Sequence, residues 1–474
     1  MLLSAVDIIC GGENVITESA SPNVRPLRRI LGLGFGLAMV FGGTVGVGIL
    51  RLPGTLAAAL GNSQAILWFW VLGGLYALLG AVSVSELASM LPQAGGFYVY
   101  ARRAFGNATG FLVGWGDWFN QTASLAYVSM TASVFLGTLW PPAAQYAKSG
   151  AVLTIAGLTA LHWVGLRIGS AVTRFISVTI GLMMLVLIVA CFYAPSAPAG
   201  APIPMSATVL PLFSAPMAAV VVTALRAVLV TYDGWYSPIY LAEESTDPTR
   251  TLPRAIIGGT LVLTVLYVLI NAAVLRVLPL SVLAGSSLPA ADAARVVLPR
   301  GGAELVTVIA LLTVLSLVNA VLLMAPRILL AIGRDGLFTA KAAGVSAGGT
   351  PRVALAVSSA AAIALILTGT FEQIVALAAV IFLLTYIAVY AAVFVLRRRE
   401  PDLPRPYRAL GYPFTTGVVL SGCVMVLIAA LMEDPRSGVI AAVLIGACAL
   451  VHGRVARRSK REAPGSDTSI EIGR

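Results

Sequence analysis

Residues 42–54 read GGTVGVGILRLPG and lie inside an apolar run, residues 31–60, that is long enough to span a bilayer. Four glycines fall in the first seven residues of this stretch, and each lowers helix stability by about 1 kcal/mol relative to alanine. Lipid offers the backbone no hydrogen bonds, so a break in mid-membrane needs burial in protein or a cavity. The stretch therefore predicts a discontinuous membrane helix with a ligand or ion site at its break, and hence transport.

The composition predicts a polytopic membrane protein, since 58% of the 474 residues are hydrophobic and only 11% are charged. Twelve apolar runs are long enough to cross about 30 Å of hydrocarbon. They predict an all-α fold with twelve transmembrane helices, at residues 30–60, 65–91, 109–137, 149–166, 174–194, 214–241, 254–278, 302–331, 353–370, 373–396, 413–432 and 437–453.

The positions of the basic residues predict the orientation. Most of the 31 lysines and arginines fall in segments that share a side of the membrane with the N-terminus, and the positive-inside rule places such segments in the cytoplasm. The chain is therefore expected in the cell (plasma or inner) membrane, with cytoplasmic tails at 1–28 and 454–474. This asymmetry and anionic membrane lipid account for the net charge of +11, so no nucleic-acid partner is predicted.

Cysteine and histidine give no sign of a metal site, a disulfide framework or an enzyme. The sequence contains no Ser/His/Asp, zinc-protease or phosphate-loop signature. The four cysteines and two histidines lack metal-ligand spacing; they are Cys10, Cys191, Cys423, Cys448, His162 and His452. We therefore predict no enzymatic activity, no cofactor and no metal.

A second interruption lies in the sixth predicted helix, where residues 231–238 read TYDGWYSP. Gly234 and Pro238 flank the carboxylate of Asp233 in mid-span. Close helix packing of the GxxxG kind is an alternative explanation of the glycines in the first helix. That alternative leaves the matching break in the sixth helix unexplained.

The positions of the two breaks predict an internal repeat. The first and sixth helices each begin a block of five, and broken helices in corresponding positions are typical of inverted repeats in transporters. We therefore predict two five-helix repeats, at residues 29–194 and 214–396, followed by two further helices at 413–453.

Five motifs occur along the chain in a fixed order: the stretch 42–54, SELASMLPQAGGFYVYARRAFG at 85–106, TYDGWYSPIYLAEESTDPTRTLPRA at 231–255, APRILLAIGRDGLF at 325–338 and RRREPDLPRPYRALGYPF at 397–414. In these motifs the chain resembles the amino acid/polyamine/organocation superfamily, and within it the L-type-like bacterial amino acid permeases. The resemblance covers about residues 28–415. It implies a LeuT-like fold with a five-plus-five inverted repeat and the transport of amino acids or related amines.

The resemblance implies a substrate site at the two breaks. Backbone N–H groups of Gly46, Val47 and Gly48 are expected to bind the substrate carboxylate, because a half-helix that starts after a break exposes free N–H groups and a positive dipole. Unwound carbonyls at both breaks are expected to accept the ammonium group. The predicted site residues are Thr44, Val45, Gly46, Val47, Gly48, Val230, Thr231, Tyr232, Asp233 and Gly234.

The chain departs from the family pattern at two places. The family's aromatic gate aligns with Val230, which has no ring, and Tyr232 and Trp235 are the alternatives for this role. Many relatives carry a lysine in the middle of helix five, but residues 175–193 contain no basic residue. Coupling through such a lysine is therefore not predicted.

Two ionisable residues near the second break have open roles. Asp233 is predicted either to pair with substrate or a proton as a coupling group, or to cap the second half of helix six through the N–H groups of Trp235 or Tyr236. Both roles are compatible. Arg226 precedes Asp233 by seven residues, two turns of a continuous helix, and is predicted to be its structural partner.

Further gate and path candidates lie at the ends of the spans. Arg51 is predicted to fix the broken first helix through an ion pair rather than to contact substrate. Glu243 and Glu244 are predicted to form a cytoplasmic gate with Arg102 or Arg103, or else to lie in an ordinary solvated loop. The remaining candidates are Glu86, expected to anchor the first cytoplasmic loop, and the path-lining or helix-packing residues Asn120, Gln121, Ser316 and Asn319.

The leading functional hypothesis is a secondary active transporter that moves amino acids by alternating access, as an exchanger or a proton-linked permease. A polyamine or amine transporter is one alternative. A transporter-shaped amino acid sensor or subunit is another, and a channel is a third. The predicted partners are an amino acid substrate and membrane lipid, and the chain is expected to be a monomer or a homodimer.

Overall fold

Helices form the regular structure of the chain. The computed structural model describes residues 26–196, 215–368 and 371–462, and within these residues the only β-type pairing is an isolated bridge between Leu31 and Ser245. The predicted all-α fold is confirmed. The first 25 residues of the predicted N-terminal tail lie outside the described residues, as does the C-terminal tail beyond residue 462.

The described residues form sixteen α-helices and three short 3₁₀ segments. The 3₁₀ segments are Pro141–Tyr146, Ser237–Glu244 and Ala340–Ala343. The α-helices are α1 (Leu33–Thr44), α2 (Gly48–Leu60), α3 (Ser63–Met90), α4 (Phe97–Phe105), α5 (Asn107–Leu139), α6 (Ala147–Val164), α7 (Leu166–Tyr193), α8 (Ala215–Thr231), α9 (Pro248–Val277), α10 (Leu280–Gly285), α11 (Pro289–Val297), α12 (Gly302–Arg334), α13 (Arg352–Thr368), α14 (Phe371–Arg399), α15 (Phe414–Glu433) and α16 (Pro435–Glu462).

The chain is a multi-pass membrane protein. Seven stretches of the described residues are long and apolar enough to cross a bilayer, in α3, α5, α7, α9, α12, α14 and α15. The bent pair α1 and α2 makes an eighth if it counts as one span. Shorter apolar helices occupy Val220–Thr231, Arg352–Thr368 and Gly438–Cys448. The count of twelve spans and the division into two repeats remain predictions.

Both predicted helix breaks are present. α1 ends at Thr44 and α2 begins at Gly48, with a bend of 45° between them. α8 ends at Thr231, and after a run of turns the chain continues as the 3₁₀ segment Ser237–Glu244. Clustered glycines and Pro238 lower the stability of a continuous helix at these points. The structure therefore confirms the interruptions that the glycine and proline positions predicted.

The two broken helices are joined at their predicted cytoplasmic ends. The carbonyl oxygen of Glu244 accepts hydrogen bonds from the N–H groups of Ile30 and Leu31, both at 3.0 Å. The Thr246 N–H in turn donates to the carbonyl of Leu31 at 2.9 Å. The chain entering α1 is thus fastened to the end of the Ser237–Glu244 segment.

Standard capping chemistry starts the helices that follow each broken pair. At the N-terminus of α3, the side chain of Asn62 accepts a hydrogen bond from the Ala65 N–H at 3.0 Å. At the N-terminus of α9, Asp247 accepts from the Arg250 N–H at 3.4 Å, and Pro248 occupies the first helical turn. α9 packs along α3 and α1 and thereby carries its side chains to both breaks.

Helix α16 is longer than predicted. The predicted last span ends at residue 453, but the helix continues to Glu462. Its final turns carry the basic residues that were assigned to the tail, and these residues are compatible with a helix because lysine and arginine are good helix formers.

Candidate substrate-binding site

The two breaks pack backbone against backbone. A Cβ added at Gly234 would lie 2.0 Å from the carbonyl oxygen of Gly43, and Gly234 has a φ of +113° that few other residues adopt. A Cβ added at Gly43 would lie 2.2 Å from the Ser237 hydroxyl oxygen. Glycine at both positions therefore lets the two unwound segments touch.

The start of α2 presents free backbone donors. Within the described part of the chain, no hydrogen bond is donated by the backbone N–H groups of Gly46, Val47 and Gly48. All three residues are partly exposed. A Cβ added at Gly46 would meet no atom closer than the Thr44 carbonyl oxygen at 4.0 Å, so open space lies beside it. This arrangement has the donors and the helix dipole that a carboxylate requires.

Carbonyl oxygens from both broken helices converge on one hydroxyl. The Tyr267 hydroxyl, from α9, lies 3.3 Å from the Thr44 carbonyl oxygen and 3.3 Å from the Thr231 carbonyl oxygen. Its ring lies edge-on to Trp70, with centroids 5.7 Å apart, and 4.9 Å from Tyr232. Since these carbonyls end α1 and α8, they carry the negative ends of two helix dipoles and suit a cationic group.

Tyr267 was missed by the sequence analysis. It lies fully buried in the middle of an apolar helix, where a hydroxyl group needs a hydrogen-bond partner. A tyrosine in an apolar helix could therefore have been recognised as a residue that hydrogen-bonds inside the protein. The sequence does not show which carbonyl groups accept that hydrogen bond.

Asp233 is held by two tyrosines and does not cap a helix. The Tyr386 hydroxyl, from α14, donates to one carboxylate oxygen at 2.5 Å, and the Tyr236 hydroxyl lies 3.5 Å from the other. The residue at the N-cap position of the 3₁₀ segment is Tyr236, and no side-chain hydrogen bond caps that end. The capping hypothesis is therefore wrong, because the chain turns after Thr231 and directs the carboxylate to α14.

The predicted pairing of Arg226 with Asp233 is also wrong. Arg226 forms a salt bridge with Glu433 at the end of α15. The prediction assumed a continuous helix, but α8 ends at Thr231, before Asp233. The loss of helical periodicity removes the two residues from a common face.

The three gate candidates differ in position. Val230 is 69% exposed and has no place in the interior. Tyr232 is buried and donates its hydroxyl to the Trp70 carbonyl at 2.9 Å. Trp235 is buried beside Tyr236, with ring centroids 5.7 Å apart. Tyr232 and Trp235 thus remain candidates, and the side chain of Val230 does not.

Buried aromatic side chains pack together beside Asp233. We call this group the aromatic layer. The Phe97 ring centroid lies 4.9 Å from that of Tyr236, and the Phe382 ring lies 4.6 Å from that of Tyr386. The members of the layer are Phe97, Tyr236, Tyr240, Phe382 and Tyr386.

The other candidate residues near the breaks divide into accessible and structural ones. Arg51 is exposed and forms no salt bridge within the described residues, so the predicted ion pair is not observed. Asn120 is partly exposed. Ser316 is buried, with its hydroxyl oxygen 2.5 Å from a Cβ added at Gly42. Asn319 is buried and bonded to the His162 ring at 2.8 Å, which indicates a role in helix packing.

A buried carboxylate of α5 was missed. Asp117 has no exposed surface, and the Tyr240 hydroxyl lies 3.0 and 2.9 Å from its two oxygens. The Gln121 amide nitrogen lies 3.4 Å from it. An isolated carboxylate between Trp115 and Trp118 in an apolar run was the available sequence signal.

Ion pairs close the predicted cytoplasmic side, with partners other than those predicted. Glu243 pairs with Arg334 at 2.7 Å, and Arg102 pairs with Asp335 at 2.5 Å. These groups line a cavity of about 550 Å³ at that end of the helices. The remaining pairs are the fully buried Glu244–Arg327, at 3.0 Å, and the partly exposed Arg103–Glu400, at 2.9 Å. Glu243 and Glu244 therefore bind two arginines of the last turns of α12, and not Arg102 or Arg103.

Glu86 anchors a different loop from the one predicted. Its buried carboxylate accepts hydrogen bonds from Arg397 at 2.8 and 2.5 Å and from the Ala409 N–H at 2.7 Å. Arg405 lies 3.3 Å away. The carboxylate thus fixes the segment between α14 and α15, not the first cytoplasmic loop.

Comparison with known proteins identifies the family. The family described as amino acid permease matches residues 36–453. This chain belongs to the amino acid permease family. Membership fits the broken helices, the free N–H groups and the converging carbonyls. It also confirms the resemblance to amino acid permeases and the function of amino acid transport.

Several transporters are similar along most of this permease. The serine/threonine exchanger SteT of Bacillus subtilis is 28% identical over 422 residues, which cover 87% of this chain and 93% of SteT. The branched-chain amino acid permease BcaP of the same organism is 26% identical, covering 86% and 90%. The mouse b(0,+)-type amino acid transporter 1 is 25% identical, covering 88% and 86%.

Proposed function

We propose that this permease is a secondary active transporter that carries zwitterionic amino acids across the cell membrane by alternating access. The proposed protein is a transporter and not an enzyme. Both of its termini are proposed to lie in the cytoplasm. The five-plus-five repeat, at residues 29–194 and 214–396, would supply the two halves that move. The observation that carries the proposal is the pairing of free N–H donors with converging carbonyl acceptors at the contact of two broken helices.

The two ends of an amino acid match the two sets of groups. The substrate carboxylate is proposed to accept hydrogen bonds from the N–H groups of Gly46, Val47 and Gly48. The ammonium group is proposed to donate to the carbonyls of Thr44 and Thr231. Of the other predicted residues, Val45, Tyr232, Asp233 and Gly234 shape the site, and Val230 contributes its backbone alone.

The closed side of the molecule supports alternating access. The start of α2 is partly exposed, whereas the aromatic layer is buried and the ion pairs of Glu243 and Glu244 link helices on the predicted cytoplasmic side. Substrate thus reaches the breaks from the side of Arg51. The proposed cycle then opens the Glu243 side after the Arg51 side has closed.

The test is transport by the purified protein in liposomes. We expect saturable uptake of labelled L-amino acids, and faster uptake when the liposomes contain unlabelled substrate. Uptake would separate a transporter from a sensor or subunit that only binds, and counterflow would separate it from a channel. Polyamines and amines without a carboxylate should compete poorly, because they leave the N–H groups without an acceptor. Equal competition by such amines would contradict the proposed carboxylate site.

A further inference from the structure

Asp117 is a buried carboxylate that the substrate site does not use. It lies in α5 with no exposed surface, on the predicted cytoplasmic side of the second break. Its two oxygens share the hydroxyl of Tyr240, and its third contact is the more distant Gln121 amide. Hydrogen bonds from neutral groups are therefore its only support within the described residues.

Other fully buried carboxylates in the described residues have arginine partners. Glu244 pairs with Arg327, and Glu86 pairs with Arg397 and Arg405. Asp117 belongs to no salt bridge in the described part of the chain. A buried charge without a counter-ion is expensive, and an ionisable residue inside a membrane marks a functional position by default. This contrast separates Asp117 from the carboxylates that hold the fold together.

Among the described residues, the helices packed beside α5 bring no cation to Asp117. Four of these helices present neutral side chains to the neighbours of Asp117 in α5. Tyr98 of α4 and Ile332 of α12 lie against Gly114. Ile381 and Thr385 of α14 lie against Gly116, and Ser358 of α13 accepts a hydrogen bond from Trp118. The titratable groups within electrostatic range are Tyr240, Tyr236 and the carboxyl group of Asp233. The charge of Asp117 therefore depends on whether the carboxylate binds a proton.

Tyr240 belongs to the segment that would move when the Glu243 side opens in the proposed cycle. Tyr236 and Tyr240 lie one turn apart in or beside the 3₁₀ segment Ser237–Glu244, which also contains the non-helical residue Leu241. Tyr236 contacts Asp233 near the substrate site, and Tyr240 contacts Asp117 in α5. One short segment thus connects a carboxylate near the substrate site to a carboxylate buried against α5.

We propose that Asp117 binds and releases the proton of a proton-linked amino acid transport cycle. The inference rests on the transport function proposed above. As a carboxylate, Asp117 accepts the Tyr240 O–H and holds the 3₁₀ segment against α5. A proton that enters from the Arg51 side bonds to one carboxylate oxygen, removes the charge and weakens this hydrogen bond. The segment then leaves α5, and the proton is released to the predicted cytoplasmic side.

The experiment measures accumulation driven by a proton gradient. The full chain is reconstituted in liposomes with potassium and valinomycin, which hold the membrane potential at zero, and a labelled mixture of the common L-amino acids is the probe. One pH unit, acid outside, corresponds to about tenfold accumulation for one proton per substrate. We expect this accumulation for the wild type and Asp117→Glu, and a ratio of about one for Asp117→Asn.

Counterflow with equal pH on both sides of the membrane measures whether a variant still exchanges substrate without a proton gradient. Asp117→Asn should retain exchange of labelled for unlabelled substrate, because the neutral amide replaces the protonated carboxyl group. Glu304→Gln, at the exposed start of α12, is the control and should accumulate substrate as the wild type does. If Asp117→Asn does not fold, Tyr240→Phe tests the same contact, and we expect it to shift the pH profile of uptake.

Three results would overturn the inference. The first is normal accumulation by Asp117→Asn. The second is a wild type that exchanges substrate but ignores the gradient, which would leave the proposed transport function intact. The third is an unchanged pH profile in a folded Tyr240→Phe protein. If the wild type shows neither uptake nor counterflow, the proposed transport function fails as well, so the two failures are distinguishable.

Discussion

Gly43 and Gly234 touch through their backbones, and this contact joins the two broken helices. A Cβ at position 234 would come within 2.0 Å of the Gly43 carbonyl oxygen. At this distance position 234 has no room for any side chain. The geometry of the site therefore depends on two glycines that contribute no functional group.

Replacing Gly234 with alanine should disrupt the fold at the breaks. The positive φ and the overlap with Gly43 add two penalties, together about 3 kcal/mol or more. We expect a marked loss of thermal stability in detergent, together with a loss of uptake. Gly157→Ala is the matched control, because an added Cβ there meets nothing within 4 Å and helix propensity favours alanine. Equal stability of Gly234→Ala and Gly157→Ala would show that the contact is not required.

Gly46 offers a sharper test of the carboxylate site than Gly48. A Cβ at Gly48 would lie 2.9 Å from the Thr231 hydroxyl oxygen, so a larger residue there also disturbs helix packing. Gly46 faces open space. We expect Gly46→Leu to fold with nearly normal stability but to weaken substrate binding by at least about tenfold, roughly 1.4 kcal/mol.

The readout is the substrate concentration that gives half-maximal stabilisation in a thermal-shift titration. Gly46→Ala should have an intermediate affinity, since its methyl group fills less of the space. Wild-type affinity in a stable Gly46→Leu protein would mean that substrate does not approach this backbone.

Removing the Tyr267 hydroxyl should affect both breaks. Tyr267→Phe leaves the buried Thr44 and Thr231 carbonyls without this donor, at a cost of about 1 to 3 kcal/mol. We expect a lower unfolding temperature and altered substrate affinity. Tyr232→Phe removes a buried hydroxyl that donates to the Trp70 carbonyl and contacts neither the Thr44 nor the Thr231 carbonyl in the described hydrogen bonds, so it should lower stability while changing affinity less. Identical effects of the two variants on affinity would contradict a role for Tyr267 at the site.

The predicted orientation is testable by cysteine labelling in a cysteine-free background. Four exposed positions are suitable: Ser63, Gly285, Gly106 and Gly336. Cysteines at Ser63 and Gly285 should react with a membrane-impermeant reagent in whole cells, because these positions lie on the predicted outer side. Cysteines at Gly106 and Gly336 should react only after permeabilisation. The reverse pattern would place both termini outside.

Local sequence signals located the breaks, whereas partner choice was not predictable. Glycine and proline act on the backbone where they stand, so the interruptions near Gly46 and Gly234 followed from composition. Hydrogen-bond partners depend on helix packing. Glu86 and Arg397 lie 311 positions apart, and Asp233 and Tyr386 lie 153 apart. No periodicity within one helix connects residues at such separations.

Errors in the predicted site arose from assuming helical geometry beyond a break. The expected pair of Arg226 and Asp233 needed two continuous turns, but α8 ends between them. The same error assigned Asp233 to a cap. Asp117 and Tyr267 lie in unbroken helices, so no interruption of the helix marked their positions.

The hydrogen bonds from Ile30 and Leu31 to the Glu244 carbonyl have a mechanical consequence. They join the start of α1 to the end of the Ser237–Glu244 segment. In the proposed cycle these two parts would therefore move together, and opening of the predicted cytoplasmic side would be one coupled movement of both broken helices. A substrate that changes the backbone at either break would then affect both helices at once.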